Sequence, residues 1–358
     1  MIFQFNSYKL GEVNTSAPKP LVTQASRLSW VDHARGMAIM LVVYRHVVVG
    51  MQRADIAVSS LMYNIQEVFF NFRMPVFFVL SGVFVAGGLK KKTAGNIALN
   101  RVYTILYPYL LWACINILLQ VCFSQFTNTK RTLLDLRYII TQPREVDHLW
   151  YLLALFNTSI LYLLIGRVVK PLWLNVIIAL GLHCLSFYLK DYSLFSDMFF
   201  YYGYFFTGVT LSQFLLDADK RENILATGNL KWVLPFFIAG QVFWFTHRTQ
   251  EEIYQLLFFV INLVACYMVF ILAKQISKSS RNNWLSYLGK HSLYIYILHV
   301  PIAAVIRSFL MRAGGNFNEW VFLFICWTGG LLIPIALYRS LKGLGFNRLF
   351  TLKPAATA

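Results

Sequence analysis

Charge is what this sequence has least of. Only 13% of its 358 residues are Asp, Glu, Lys or Arg, roughly half the share usual in a soluble domain. Mean hydropathy is +0.57. A chain with so little charge and so much apolar surface excludes an ordinary soluble enzyme, and no separate soluble domain has room to exist. Acidic residues are scarcer still: 15 against 32 Lys and Arg, for a net charge of +17. In a soluble protein that excess would point to nucleic acid. Here the basic residues fall in short stretches between apolar runs, where they set topology, so no nucleic-acid partner is expected. No C-x-x-C pair occurs. Cys114, Cys122, Cys184, Cys266 and Cys326 all lie in apolar runs and read as small buried hydrophobes. No H-x-x-x-H or H-E-x-x-H occurs, so no metal site is expected. Met1 to Leu28 has no apolar core, which excludes a cleavable signal and leaves the first span to direct insertion. There is no internal repeat and no low-complexity tract.

What is present is a succession of apolar runs of about twenty residues. The fold class is all-α: a polytopic membrane protein of about ten transmembrane helices, with the lipid bilayer as its first partner. The spans are expected at 34–50, 67–88, 102–123, 149–165, 172–189, 197–216, 231–247, 253–273, 292–311 and 319–338. Residues 1–29 read as a mobile tail, 30–340 as the membrane domain and 341–358 as a basic tail. Loop charges give the orientation. About twenty Lys and Arg fall on the side of both termini and about nine on the other, which makes both termini cytoplasmic.

Ionisable groups within a span cost free energy and are functional suspects. The first span, Trp30 to Gly50, carries Arg35 at one end and His46 near the other. Arg35 and His46 are eleven residues apart, three helical turns plus a small angle, so they share a face about 16 Å apart along the axis. Arg35 then lies near the cytoplasmic face and His46 deeper. On spacing alone, His46 is a general base, a metal ligand or a hydrogen-bonded packing residue. Arg35 could hold a phosphate, with Arg101 and Lys90, Lys91 and Lys92 on the same side, although the positive-inside rule alone explains the lysines. Arg45 reads as a side chain snorkelling to the outer interface.

The second span contains Arg73 in an aromatic run, with Glu67 as a partner if the helix bends, and Pro75 as the source of that bend. Ser81 and Gly82 permit close helix approach. Ser81 lacks the G-x-S-x-G elbow of a nucleophile. The longest external loop, 124–148, ends in Asp147 and His148 just before Trp150 and Tyr151. That cluster could line an acceptor site or form an ordinary interfacial belt. His183 reads as structural. His299 is followed two residues later by Pro301, expected to break its helix.

Six stretches occur in order: Asp32 with Arg35-Gly36 and His46; Phe72 to Gly82; Asn100-Arg101 with Leu106 to Leu110; His148 to Leu152; Phe205 to Gly208; and Tyr287-Leu288-Gly289 through Ser292 to His299. Taken together they resemble the acyltransferase-3 family of integral membrane O-acyltransferases. The resemblance covers nearly the whole chain. It implies acetyl-CoA or another acyl-CoA as donor and a sugar hydroxyl as acceptor, in a surface glycan or lipid-linked saccharide. It implies a place in the cytoplasmic (inner) membrane. His46 becomes the catalytic imidazole and Arg35 its partner. Arg35, Arg101 and Arg73 become donor contacts, and Asp147, His148, Trp150, Tyr151 and His299 acceptor contacts. Two positions depart from the pattern. Arg73 stands where many relatives carry His, and Arg101 is a single Arg where several are usual. Some relatives carry an extra extracytoplasmic domain. The chain ends after the tenth expected span, so direct transfer or a separate extracytoplasmic acyl-transfer partner is implied. A glycan-precursor transporter or flippase is the alternative class.

Overall fold

The structure is a computed structural model that describes residues 28–122, 131–279, 283–314 and 318–352. All but the last two residues of the expected N-terminal tail lie outside the described residues, as does 124–130 of the long loop. Among the described residues the regular structure is helical throughout. Seven helical stretches are long and apolar enough to cross a membrane: Ser29–Gln52, Ser60–Leu89, Ala94–Cys122, Pro143–Val168, Gln255–Ile276, Ser292–Arg312 and Glu319–Gly343. Leu172–Tyr188, Ser193–Leu215 and Leu230–His247 occupy the places of the other expected spans. The chain is an all-α, multi-pass membrane protein.

In chain order the helices are α1 (Ser29–Gln52), α2 (Ser60–Val68), α3 (Arg73–Leu89), α4 (Ala94–Arg101), α5 (Tyr107–Cys122) and the short α6 (Tyr138–Thr141). Then follow α7 (Trp150–Val168), α8 (Leu172–Tyr188), α9 (Ser193–Leu215), α10 (Ala218–Ile224), α11 (Leu230–His247), α12 (Gln255–Ile276), α13 (Asn283–Lys290), α14 (Ser292–Arg312) and α15 (Glu319–Gly343). The first span is the hub: α1 packs against α3, α12, α13, α14 and α15. Two of its contacts explain glycines seen in the sequence. Gly36 of α1 lies against the Leu285 carbonyl of α13, and Gly289 of α13 lies against the Asp32 carbonyl of α1. A second reciprocal pair joins α3 to α9, with Gly82 on the Phe205 carbonyl and Gly208 on the Val79 carbonyl. With lipid outside, helices gain little from the hydrophobic effect, and close backbone approach through small residues supplies the attraction.

Local differences from expectation have local causes. The second span is two helices, because the chain turns at Phe69–Phe72 between α2 and α3. Pro75 then sits in the first turn of α3, where a missing N–H removes no helical bond. α14 runs unbroken through Pro301. The segment after α15 is docked as far as Leu352. Gly345, at φ 88°, reverses the chain. The Arg348 carbonyl then accepts from the Tyr107 hydroxyl at 2.8 Å, and the Leu349 carbonyl from Trp112 Nε1 at 2.7 Å. Phe350 is buried against Trp112, Tyr294 and Tyr338.

Candidate active site

Three imidazoles meet at one depth. His46 of α1 lies 5.0 Å from His299 of α14 and 5.9 Å from His148, which precedes α7; His148 and His299 are 4.9 Å apart, all between ring centroids. The outer two are locked. His299 turns Nδ1 to the Ile295 and Tyr296 carbonyls at 2.9 and 2.8 Å. His148 turns Nε2 to the Ile297 carbonyl at 3.2 Å. A carbonyl only accepts, so each of these nitrogens carries the proton. In the neutral rings, Nε2 of His299 and Nδ1 of His148 are then lone pairs, and both are buried without a protein donor. Among the described residues His46 has ring contacts and no hydrogen bond, and it stays half-buried at the edge of a cavity. It is the one member of the trio whose nitrogens are not bound to the backbone. Among the described residues no group of three His, Cys, Asp or Glu could hold a metal ion.

The backbone at His148 is strained. Asp147 has φ 58° and ψ −140°, a combination that side chains with a Cβ rarely adopt. Its carboxylate is tied down on two sides, by Gln120 Nε2 at 3.0 Å and Arg53 at 3.9 Å. The Tyr296 hydroxyl donates to the His148 carbonyl.

The cavity beside His46 holds about 720 Å³. Cations dominate its wall: Arg45, Arg53, Arg73, Arg144 and Lys190, against Asp147, Asp197 and Glu251. Arg144 clamps the buried Asp197 through Nε, at 2.9 and 3.0 Å to its two oxygens, and lies over Trp150. Arg45 turns inward instead of snorkelling, because α2 offers it Gln66 Oε1 at 2.5 Å and Glu67 at 3.5 Å. Glu67 is shared with Arg248 at 3.3 Å, and so it is not the ion-pair partner of Arg73. Arg73 is buried, lies over the Phe70 ring at 4.6 Å and forms no ion pair among the described residues. Glu251, in the turn before α12, has its carboxyl pushed up by burial, partly offset by Lys190 and Arg144.

A second group lies at the other depth of α1. Arg35 sits over Phe84 of α3 at 5.4 Å. Arg101 donates to Ser81 Oγ at 3.3 Å and has Arg35 and Tyr151 as electrostatic neighbours. Ser81 is therefore a holder of Arg101 as well as a packing residue. Buried Tyr151 joins the two depths: it touches both guanidinium groups electrostatically and meets Tyr296, 5.1 Å away, which in turn meets His148 and His299. Lys90, Lys91 and Lys92 are exposed beyond α3.

The sequence-derived residues thus divide. His46, Arg73, Asp147, His148 and Trp150 line one cavity, with His299 packed behind it. Arg35 and Arg101 gather at the far depth, with Tyr151 between the two groups. Arg73 lies with His46 and not with the two arginines with which it was grouped. Sequence reasoning did not single out Asp197, Tyr201 or Glu251, and it met Tyr296 only within the Ser292 to His299 stretch; all four line the cavity. A carboxylate inside an apolar span was the available signal for Asp197.

A family model described as an acyltransferase domain, Acyl_transf_3, matches residues 28–339. Comparison with curated proteins and with solved structures gives no match.

Proposed function

The chain belongs to the acyltransferase-3 family, and from that premise we propose that it moves an acetyl or other acyl group from cytoplasmic acyl-CoA to a hydroxyl of a cell-surface or exopolysaccharide sugar. The supporting observation is the asymmetry of the histidine trio. Two imidazoles are fixed by backbone carbonyls with their lone pairs buried, and the third faces a cavity with its nitrogens uncommitted. His46 is then the base. It removes the proton of the acceptor hydroxyl as the oxygen bonds to the thioester carbonyl carbon. The carbon–sulfur bond breaks, and the departing thiolate takes a proton from His46. Such a base contributes about 10²–10⁴-fold.

The nucleotide end of the donor binds at Arg35 and Arg101 on the cytoplasmic side, where guanidinium groups suit phosphate. The thioester end lies along the side of Tyr151 and Tyr296 toward His46. Arg73 sits on the histidine side of that path, so its role is to offset the negative charge that develops on the carbonyl oxygen. Asp147, Trp150 and the polar cavity receive the sugar. The membrane is the inner, cytoplasmic one, with both termini inside. Purified protein with labelled acetyl-CoA and an acceptor glycan tests this. His46→Ala should abolish transfer, and full transfer by that variant removes the base. A flippase would move the glycan without any thioester-dependent product.

A further inference from the structure

Between α4 and α5 the helix widens without stopping. Val102–Leu106 forms a π turn, and the Tyr107 N–H bonds the Val102 carbonyl, five residues back. In an α-helix that N–H would serve the Tyr103 carbonyl. In the π pattern the donor to Tyr103 would be residue 108, and Pro108 has no N–H. The Tyr103 carbonyl is thus left to donors from outside the helix, and two come from the segment after α15. The Leu352 N–H donates to it at 3.3 Å and the Thr351 hydroxyl at 3.2 Å. The Arg348 and Leu349 carbonyls of the same segment accept from Tyr107 and Trp112 of α5. Phe350, 2% exposed, fastens the segment to α5, α14 and α15 through Trp112, Tyr294 and Tyr338.

The π turn adjoins a functional side chain. Arg101 is the last residue of α4 and directly precedes the turn. It donates to Ser81 Oγ at 3.3 Å and has Arg35 and Tyr151 as electrostatic neighbours. A π turn holds an extra residue, and each residue advances a helix face by about 100°. If 102–106 tightened into regular α-helix, α4 would turn by that angle relative to α5, and the Arg101 guanidinium would leave Ser81 and Arg35. We propose that Arg348 to Leu352 is a clamp. It supplies the hydrogen bonds that Pro108 cannot, keeps the π turn open, and so aims Arg101 at the site beside Arg35. Phe350 and Thr351 are then positioning residues that act through Arg101 without touching the donor. The consequence for acyl-CoA rests on the reading of Arg101 as a donor contact; the clamp itself does not.

The test uses the full-length protein in nanodiscs, with CoA as the binding probe and acetyl-CoA for transfer. Phe350→Ala should raise the acetyl-CoA KM and the CoA Kd about tenfold, the scale of one charge-assisted hydrogen bond, with kcat nearly constant. Phe350→Leu should recover much of the loss. In an Arg101→Ala background Phe350→Ala should add nothing, because the group it positions is gone. Should Phe350→Ala fail to fold, Thr351→Val removes one donor to Tyr103 while Phe350 stays packed, and it should raise KM about threefold. An equal rise in both backgrounds, or a fall in kcat at constant KM, overturns the positioning role. Hydrogen exchange is a readout independent of the donor. In Phe350→Ala the amides of 102–107 should exchange about tenfold faster, while those of α8 keep their rate. Unchanged exchange at 102–107 overturns the clamp. If the parent binds no CoA and transfers no acetyl group while exchange responds, the donor reading fails and the clamp stands.

Discussion

The carbonyl of Ile297 accepts the Nε2–H of His148 at 3.2 Å. Ile297 lies four residues before Pro301, the position whose carbonyl a helical N–H normally satisfies. Proline has none. The residue expected to break α14 instead leaves one carbonyl free within it, and His148 fills the vacancy from another element. That single bond sets the tautomer of His148 and leaves Nδ1 as the buried lone pair.

Pro301→Ala therefore restores a competing donor. The variant should fold at least as stably as the parent, because a helix-breaking residue is removed. Acyl transfer should fall by about tenfold or more, since His148 loses its anchor and small displacements at a reacting centre are expensive. Thermal stability and turnover, measured together, check this. Unchanged turnover in a well-folded variant would show that the bond to Ile297 does not matter to the chemistry.

The backbone at Asp147 gives a second prediction. Asp147→Ala keeps the φ of 58° and loses the contacts to Gln120 and Arg53. Asp147→Gly loses the same contacts and relieves the strain. The glycine variant should be the more stable of the two by about 1 kcal/mol. Equal melting temperatures would mean that the side-chain contacts, and not the backbone, govern this turn.

Helix packing can be probed at the α3–α9 crossing. A methyl at Gly82 or Gly208 meets a backbone carbonyl, Phe205 or Val79, and backbone cannot rotate away. Gly208→Ala should destabilise by about 1–3 kcal/mol. Gly95→Ala in α4, where the added carbon meets nothing within 4 Å, should be neutral or slightly stabilising. Similar losses at the two sites in chemical or thermal unfolding would refute the crossing.

Much of this arrangement is legible in the sequence, and what is not has a physical reason. Apolar runs locate the long helices because the bilayer demands them. Arg35 and His46 lie on one helix, α1, with Arg35 over Phe84 of α3 and His46 beside His148 and His299. What periodicity cannot carry is convergence across the chain. His46, His148 and His299 come from three elements and meet only through the packing around α1. Arg144 and Asp197 pair across 53 residues. Arg45 read as snorkelling because its partners, Gln66 and Glu67, lie on a separate helix. Pro301 read as a break because local rules do not include a histidine from elsewhere completing the helix.

Glu251 provides a pH test outside the spans. Burial raises its carboxyl from the ordinary value of 4.5, so the folded protein holds that proton more tightly than the unfolded chain. Stability then falls as pH rises from 4.5 through the raised value. Glu251→Gln removes this contribution. Its melting temperature should match the parent in acid and exceed it at neutral pH. A parallel pair of curves would mean that Lys190 and Arg144 fully offset the burial.

Arg35 and Arg73 separate the two depths kinetically. Each is a guanidinium beside an aromatic ring, and from sequence both were grouped as donor contacts. Arg73 is buried with His46 at the cavity, 11 residues before the Phe84 that carries Arg35. That is about 16 Å along α3. A group that only holds the nucleotide end binds ground state and transition state alike, and its loss raises KM for acyl-CoA. A group that meets the developing oxyanion lowers kcat. Arg35→Ala should therefore raise the acyl-CoA KM about tenfold or more with a smaller effect on kcat, whereas Arg73→Gln should lower kcat about 10²-fold at nearly constant KM. Arg73→Lys should recover part of the loss, because charge is kept while the planar fork is not. If Arg73→Gln acts instead on the acyl-CoA KM, the arginine belongs with the donor, as its sequence grouping implied, and the oxyanion role falls.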